Sequence, residues 1–131
     1  MSYQSQITFL YFDDLSAGKY FFETVLKLKK VYEPDWAAVY KVAQAAYIGA
    51  VDAKKGSISS IQRGGALVSL TVDDVMPYYK RLQNEPQVDQ LSAIRVFEDI
   101  GIKSFFFDGP NGYHFEIQQF ISDEFDFSNP K

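Results

Sequence analysis

The chain contains no cysteine, which excludes disulfides, thiolate metal sites and cysteine nucleophiles together. No apolar run is long enough to cross a bilayer. The opening residues, Met1 to Gln6, lack the basic and apolar stretches of a secretion signal, so a cytoplasmic location is expected. Basic residues are outnumbered, leaving a formal net charge of -4. An acidic surface repels phosphate backbones, and non-specific affinity for nucleic acid comes mainly from basic contacts. The one basic cluster, Lys27, Lys29 and Lys30, follows an apolar helical stripe, where it complements a helix dipole. Neither nucleic acid nor membrane is expected as a partner, whereas a cationic ligand suits the charge.

Aromatic residues are abundant. Twelve Phe, nine Tyr and one Trp make 17% of 131 residues, enough for most to build a core and for some to line a pocket for flat or amphipathic ligands. The length suits one domain that folds without covalent staples.

The sequence also repeats itself. Ile7-Thr-Phe-Leu-Tyr-Phe-Asp-Asp-Leu15 aligns without a gap on Leu67-Val-Ser-Leu-Thr-Val-Asp-Asp-Val75. Each segment reads as a strand entering a helix through an Asp-Asp turn, where aspartate caps the first-turn N–H groups. Ala17, Phe21, Phe22, Val25 and Leu26 form one helical stripe, and Val75, Tyr78, Tyr79 and Leu82 form the second. Pro77 sits in a first turn, where its missing N–H costs nothing. Gly18 weakens the first helix slightly. Three strands follow each helix: about 30–33, 36–42 and 45–51, then 93–98, 103–107 and 113–120. Turns at 34–35, 99–101 and 109–112 separate several of them.

The expected fold is therefore α+β, with two tandem βαβββ modules forming curved antiparallel sheets around a cavity and helices outside. Module one covers about 5–53, a Gly/Ser-rich connector 54–65 and module two about 66–120. An acidic tail, 121–131, follows as a loose appendage that Phe125 and Phe127 would pin down.

The strand–Asp-Asp–helix opening, the duplication and the closing Phe-Phe-Phe-Asp-Gly-Pro-Asn-Gly-Tyr-His-Phe-Glu-Ile117 resemble the vicinal oxygen chelate superfamily. That group holds glyoxalase I, extradiol dioxygenases, fosfomycin-resistance enzymes and bleomycin-resistance proteins. The resemblance covers roughly residues 5 to 120, with Gly109 as a one-residue insertion in the closing motif. It implies a divalent ion held by one side chain from the first strand and one from the last strand of each half. Carried over, those positions are Ile7, Gly49, Leu67 and Glu116. Of these only Glu116 offers a donor, and one carboxylate does not fix an ion in a defined geometry. No metal and no cofactor are expected.

Strand alternation sketches the pocket. Ile7, Phe9, Tyr11, Leu67, Ser69 and Thr71 share the inward face. On the last strand His114, Glu116 and Gln118 point one way, and Phe115 and Ile117 point to the helices. Candidate ligand-binding residues are Tyr11, Trp36, Tyr47, Ser69, Phe106, His114 and Glu116. Phe106 is included although Gly109 leaves the parity of 105 to 107 open. His114 is the sole histidine. With Glu116 it forms either a ligand anchor or an acid–base pair; alternatively Glu116 is bonded to a neighbouring Tyr. No catalytic residue is assigned. The expected function is metal-independent small-molecule binding in the bleomycin-resistance manner, by a homodimer and toward an aromatic or cationic compound. The alternatives are a lyase or isomerase-type enzyme using Glu116 and His114, an enzyme holding an ion through other residues, and a scaffold with a filled cavity.

Overall fold

A computed structural model describes residues 2–59 and 61–122. The chain divides into two compact units, 1–62 and 63–131, so the break falls within the Gly/Ser-rich connector. The tail carrying Phe125 and Phe127 lies outside the described residues.

The first unit is β1 (Gln6–Phe12), α1 (Leu15–Tyr20), β2 (Lys29–Tyr32), β3 (Ala37–Ala43) and β4 (Ala46–Asp52). The second repeats the order: β5 (Leu67–Thr71), α2 (Val75–Leu82), β6 (Arg95–Phe97), β7 (Ile102–Asp108) and β8 (His114–Phe120). Each unit has one four-stranded sheet, ordered β1-β4-β3-β2 and β5-β8-β7-β6.

The sheets are mixed rather than antiparallel as the sequence suggested, because β1 pairs with β4 and β5 with β8 in parallel. Chain direction explains this. The helical crossover returns β2 to the direction of β1, and two hairpin reversals bring β4 back to it again. Strand ends also differ: Trp36 precedes β3, Tyr113 precedes β8, and β6 is only Arg95–Phe97.

Both helices begin at the expected aspartates. The Asp14 carboxylate accepts from the Ser16 N–H and that of Asp74 from the Met76 N–H, each at 3.0 Å. Such caps contribute about 1 kcal/mol each. The first helix then widens into a π-helical turn, Phe21–Val25. This turn places Phe21, Phe22 and Val25 in the core. Gly18 proves to be a requirement rather than a weakness, since a Cβ there would overlap the Phe12 ring.

Each helix covers one face of its own sheet. In the first unit Phe22 meets Phe12 and Tyr40, with ring centroids 5.8 and 5.4 Å apart. In the second, Tyr79 meets Phe105 at 5.0 Å, and Phe107 stacks on Phe115 at 5.6 Å. Such pairs add about 0.5–1.5 kcal/mol beyond area burial. These contacts settle the parity of the Phe run: Phe105 and Phe107 point to the helix, and Phe106 to the opposite face. Among the described residues no helix is long and apolar enough to cross a membrane.

Candidate functional site

The face of the second sheet opposite α2 carries the polar chemistry. Three cross-strand rows build it. Leu67, His114 and Asp108 form one row; Ser69, Glu116 and Phe106 the next; Thr71, Gln118 and Ser104 the third. In each row a residue of β8 is held by a neighbouring strand. His114 Nδ1 lies 2.7 Å from Asp108 Oδ1. Ser69 Oγ donates to Glu116 Oε1 at 2.8 Å, and Gln118 Nε2 donates to Thr71 Oγ1 at 3.0 Å.

Successive members of the β8 stripe are two residues apart, hence roughly 7 Å along the strand. Glu116 is 6% exposed, so its carboxylate is desolvated and accepts a charge-assisted hydrogen bond. Ser104 is fully buried and its hydroxyl has no hydrogen-bond partner. An orphaned buried hydroxyl costs about 1–3 kcal/mol, and native structures concentrate such costs where a ligand or water completes the set.

The candidates therefore separate. Ser69, Phe106, His114 and Glu116 share one face and adjoining rows. His114 and Glu116 are not bonded to each other: Asp108 takes the imidazole and Ser69 the carboxylate. The neighbour of Glu116 is thus a serine, not a tyrosine. Sequence reasoning missed Asp108 and Ser104. The hairpin spacing of Asp108 and His114 was the available signal for the first; nothing marked Ser104 as uncapped.

Tyr11, Tyr47 and Trp36 belong to the first unit. Tyr11 is buried, packs with Ala37 and Val51, and accepts the Ile58 N–H at 3.3 Å through its hydroxyl oxygen. Tyr47 is half-buried beside Ile7. Trp36 is exposed, and its carbonyl accepts the Asp52 N–H at 2.9 Å.

The registers of the two units coincide. Phe9 pairs with Gly49 in the parallel ladder of the first sheet as Ser69 pairs with Glu116 in the second. The four chelating positions implied by the sequence resemblance are therefore Ile7, Gly49, Leu67 and Glu116 in structurally equivalent places. A side chain at Gly49 would overlap the Phe9 ring. Two hydrocarbons, a glycine under an aromatic ring and one serine-bound carboxylate do not fit a divalent ion. Among the described residues no group of three or more His, Asp or Glu is placed to hold a metal.

On the helix side of the first unit, charge is arranged differently. The Tyr40 hydroxyl donates to Glu23 at 2.7 Å, and Lys30 sits 3.7 Å from Glu23 and 3.0 Å from Glu33. Burial, then the Glu23 hydrogen bond, pushes the Tyr40 phenol up. The Lys30 hydrogen bond, then that of Lys19, holds the Glu33 carboxyl down.

No protein-family model and no curated protein matches the sequence. Solved structures do match. A glyoxalase/bleomycin resistance protein/dioxygenase from Nocardioides aligns with TM-score 0.71 and 15% identity, over 94% of this chain and 86% of that one. A lactoylglutathione lyase from Agrobacterium tumefaciens gives 0.69 and 19%, over 87% and 91%. A genomically encoded fosfomycin resistance protein from Listeria monocytogenes gives 0.74 and 15%, over 95% and 99%. At these identities the likeness is one of fold. The chain has the fold of these solved structures, with two βαβββ units in series, as the sequence resemblance implied.

Proposed function

We propose that the chain is a metal-independent small-molecule-binding protein, sequestering an aromatic or cationic compound as bleomycin-resistance-type proteins of this fold do. The observation that supports it is the contrast between Phe9–Gly49 and Ser69–Glu116 at equivalent ladder positions. One chelating place is filled with an aromatic ring, while the other keeps a buried carboxylate held by a hydroxyl. That leaves an anionic anchor beside Phe106, which suits a ligand with a flat or apolar part and a cationic or donor group.

A homodimer belongs to this reading. Ile7, Phe9 and Leu67 are 43%, 44% and 50% exposed on the sheet faces that carry these residues, and a second copy would cover them. Light scattering should then report a particle of twice the chain mass.

The experiment is a thermal-shift screen with cationic glycopeptide antibiotics and planar aromatic cations, alongside elemental analysis of the purified protein. A ligand at a hundred times its Kd should stabilise by about 2.7 kcal/mol. Glu116→Ala should abolish that shift. Silence across the panel, or a stoichiometric transition metal retained through purification, would reject the reading.

A further inference from the structure

At one end of the second sheet lies a hollow of about 420 Å³, lined by Leu67, Phe106, Asp108 and His114 among others. Its volume is in the range of ordinary small-molecule pockets. The walls are largely hydrocarbon, and the polar feature is the Asp108–His114 pair, 2.7 Å between Oδ1 and Nδ1. An ionised carboxylate only accepts, so the proton in this contact sits on Nδ1. In the neutral ring, Nε2 then holds a lone pair and acts as a hydrogen-bond acceptor.

The pair is fixed from behind. Asp89 and Asp108 exchange backbone hydrogen bonds of 2.9 and 2.8 Å, and the Gly109 N–H donates to the Tyr113 carbonyl at 2.9 Å. Gln90 and Asn111, next to these contacts, hold left-handed backbone with φ of 54° and 62°. For glutamine such backbone is strained and persists only where its surroundings over-determine it, whereas asparagine visits the region readily. The fold thus spends strain on a segment whose result is an aimed imidazole.

We propose that this hollow is a subsite for uncharged aromatic rings bearing a hydroxyl group. His114 Nε2 accepts the hydroxyl hydrogen, and Phe106 and Leu67 cover the ring. This deepens the binding reading above and rests on it. Among the described residues, Asp108 on β7 holds the imidazole, Glu116 lies two residues along its own strand, and the Asp89 backbone is bonded to that of Asp108. The Arg63 guanidinium lies 5.7 Å from the centre of the ring of Tyr113, the residue before His114.

The chain has one histidine, so long-range 1H–15N NMR of the 131-residue chain reads this imidazole alone. At about pH 8 the spectrum should show the Nδ1–H tautomer. Saturating p-cresol at the same pH should move the Nε2 resonance upfield, as its lone pair accepts the hydroxyl hydrogen, and leave Nδ1 nearly unmoved. Asp108→Ala should remove the p-cresol effect while amide dispersion shows the fold intact. An Nε2–H tautomer in the free protein would overturn the proposal. So would an Nε2 resonance unmoved by p-cresol, even if Ser69 and Glu116 amides shift; in that case binding on this sheet survives and the His114 role does not. The broader reading fails separately, by silence of its own ligand panel.

Discussion

The two units share a ladder and differ in what it carries. Phe9 over Gly49 in the first corresponds to Ser69 beside Glu116 in the second. A large residue pairs with none in one case, and a small residue with a long one in the other. The two pairs put their bulk on opposite strands, an aromatic ring on β1 and a long carboxylate side chain on β8. The chemistry diverges with it. One sheet presents hydrocarbon, the other a row of hydrogen-bonded polar groups.

Exchanging these pairs gives the largest expected effect. Gly49→Glu alone forces a carboxylate against the Phe9 ring, with overpacking and an unpartnered charge together costing about 3 kcal/mol or more. The double variant Phe9→Ser with Gly49→Glu copies the second unit and should recover most of that loss in urea denaturation. A double variant no more stable than the single one would break the equivalence.

A second contrast lies on the helix side. Tyr40 pairs with Ile48 on β4, and Phe107 with Phe115 on β8, at matching register positions. The Tyr40 phenol is pushed up by burial and by Glu23. Its folded value lies above its unfolded one, so its contribution is fully present below about pH 10 and fades as pH rises further. Tyr40→Phe should make the first unit resemble the second by flattening this alkaline loss. At neutral pH it should cost about 1–2 kcal/mol, as Glu23 loses a donor. Unfolding curves across about pH 7 to 11 check both parts.

The hairpins supply the smallest effect. Ala45, before β4, and Asn111, before β8, both have φ of 62°. Alanine tolerates this region poorly, whereas asparagine visits it routinely. Ala45→Asn should stabilise by up to about 1 kcal/mol, read as a higher Tm; no gain would mean the two turns are strained differently.

Much of the fold was legible because its signals are local. Asp14 and Asp74 cap where the motif placed them, and alternation put His114, Glu116 and Gln118 on one face. The parallel pairing of first and last strands was not legible, since it follows from how a direction-preserving helical crossover and two hairpin reversals add up rather than from any residue pattern. The partners of His114 and Glu116 were missed for a similar reason. Two residues sharing a face on one strand sit too far apart to bond directly, and each took its partner from the strand beside it. Gly18 looked like a poor helix former until the Phe12 ring beneath it appeared.

The backbone exchange between Asp89 and Asp108 ties the imidazole's carboxylate to a loop that is neither helix nor regular strand. Amino-acid changes around 87–92 can therefore re-aim His114 without altering any residue that a bound molecule touches. Under the binding role proposed above, selectivity is open to tuning from outside the His114 face, through substitutions that a comparison of contact residues alone would pass over.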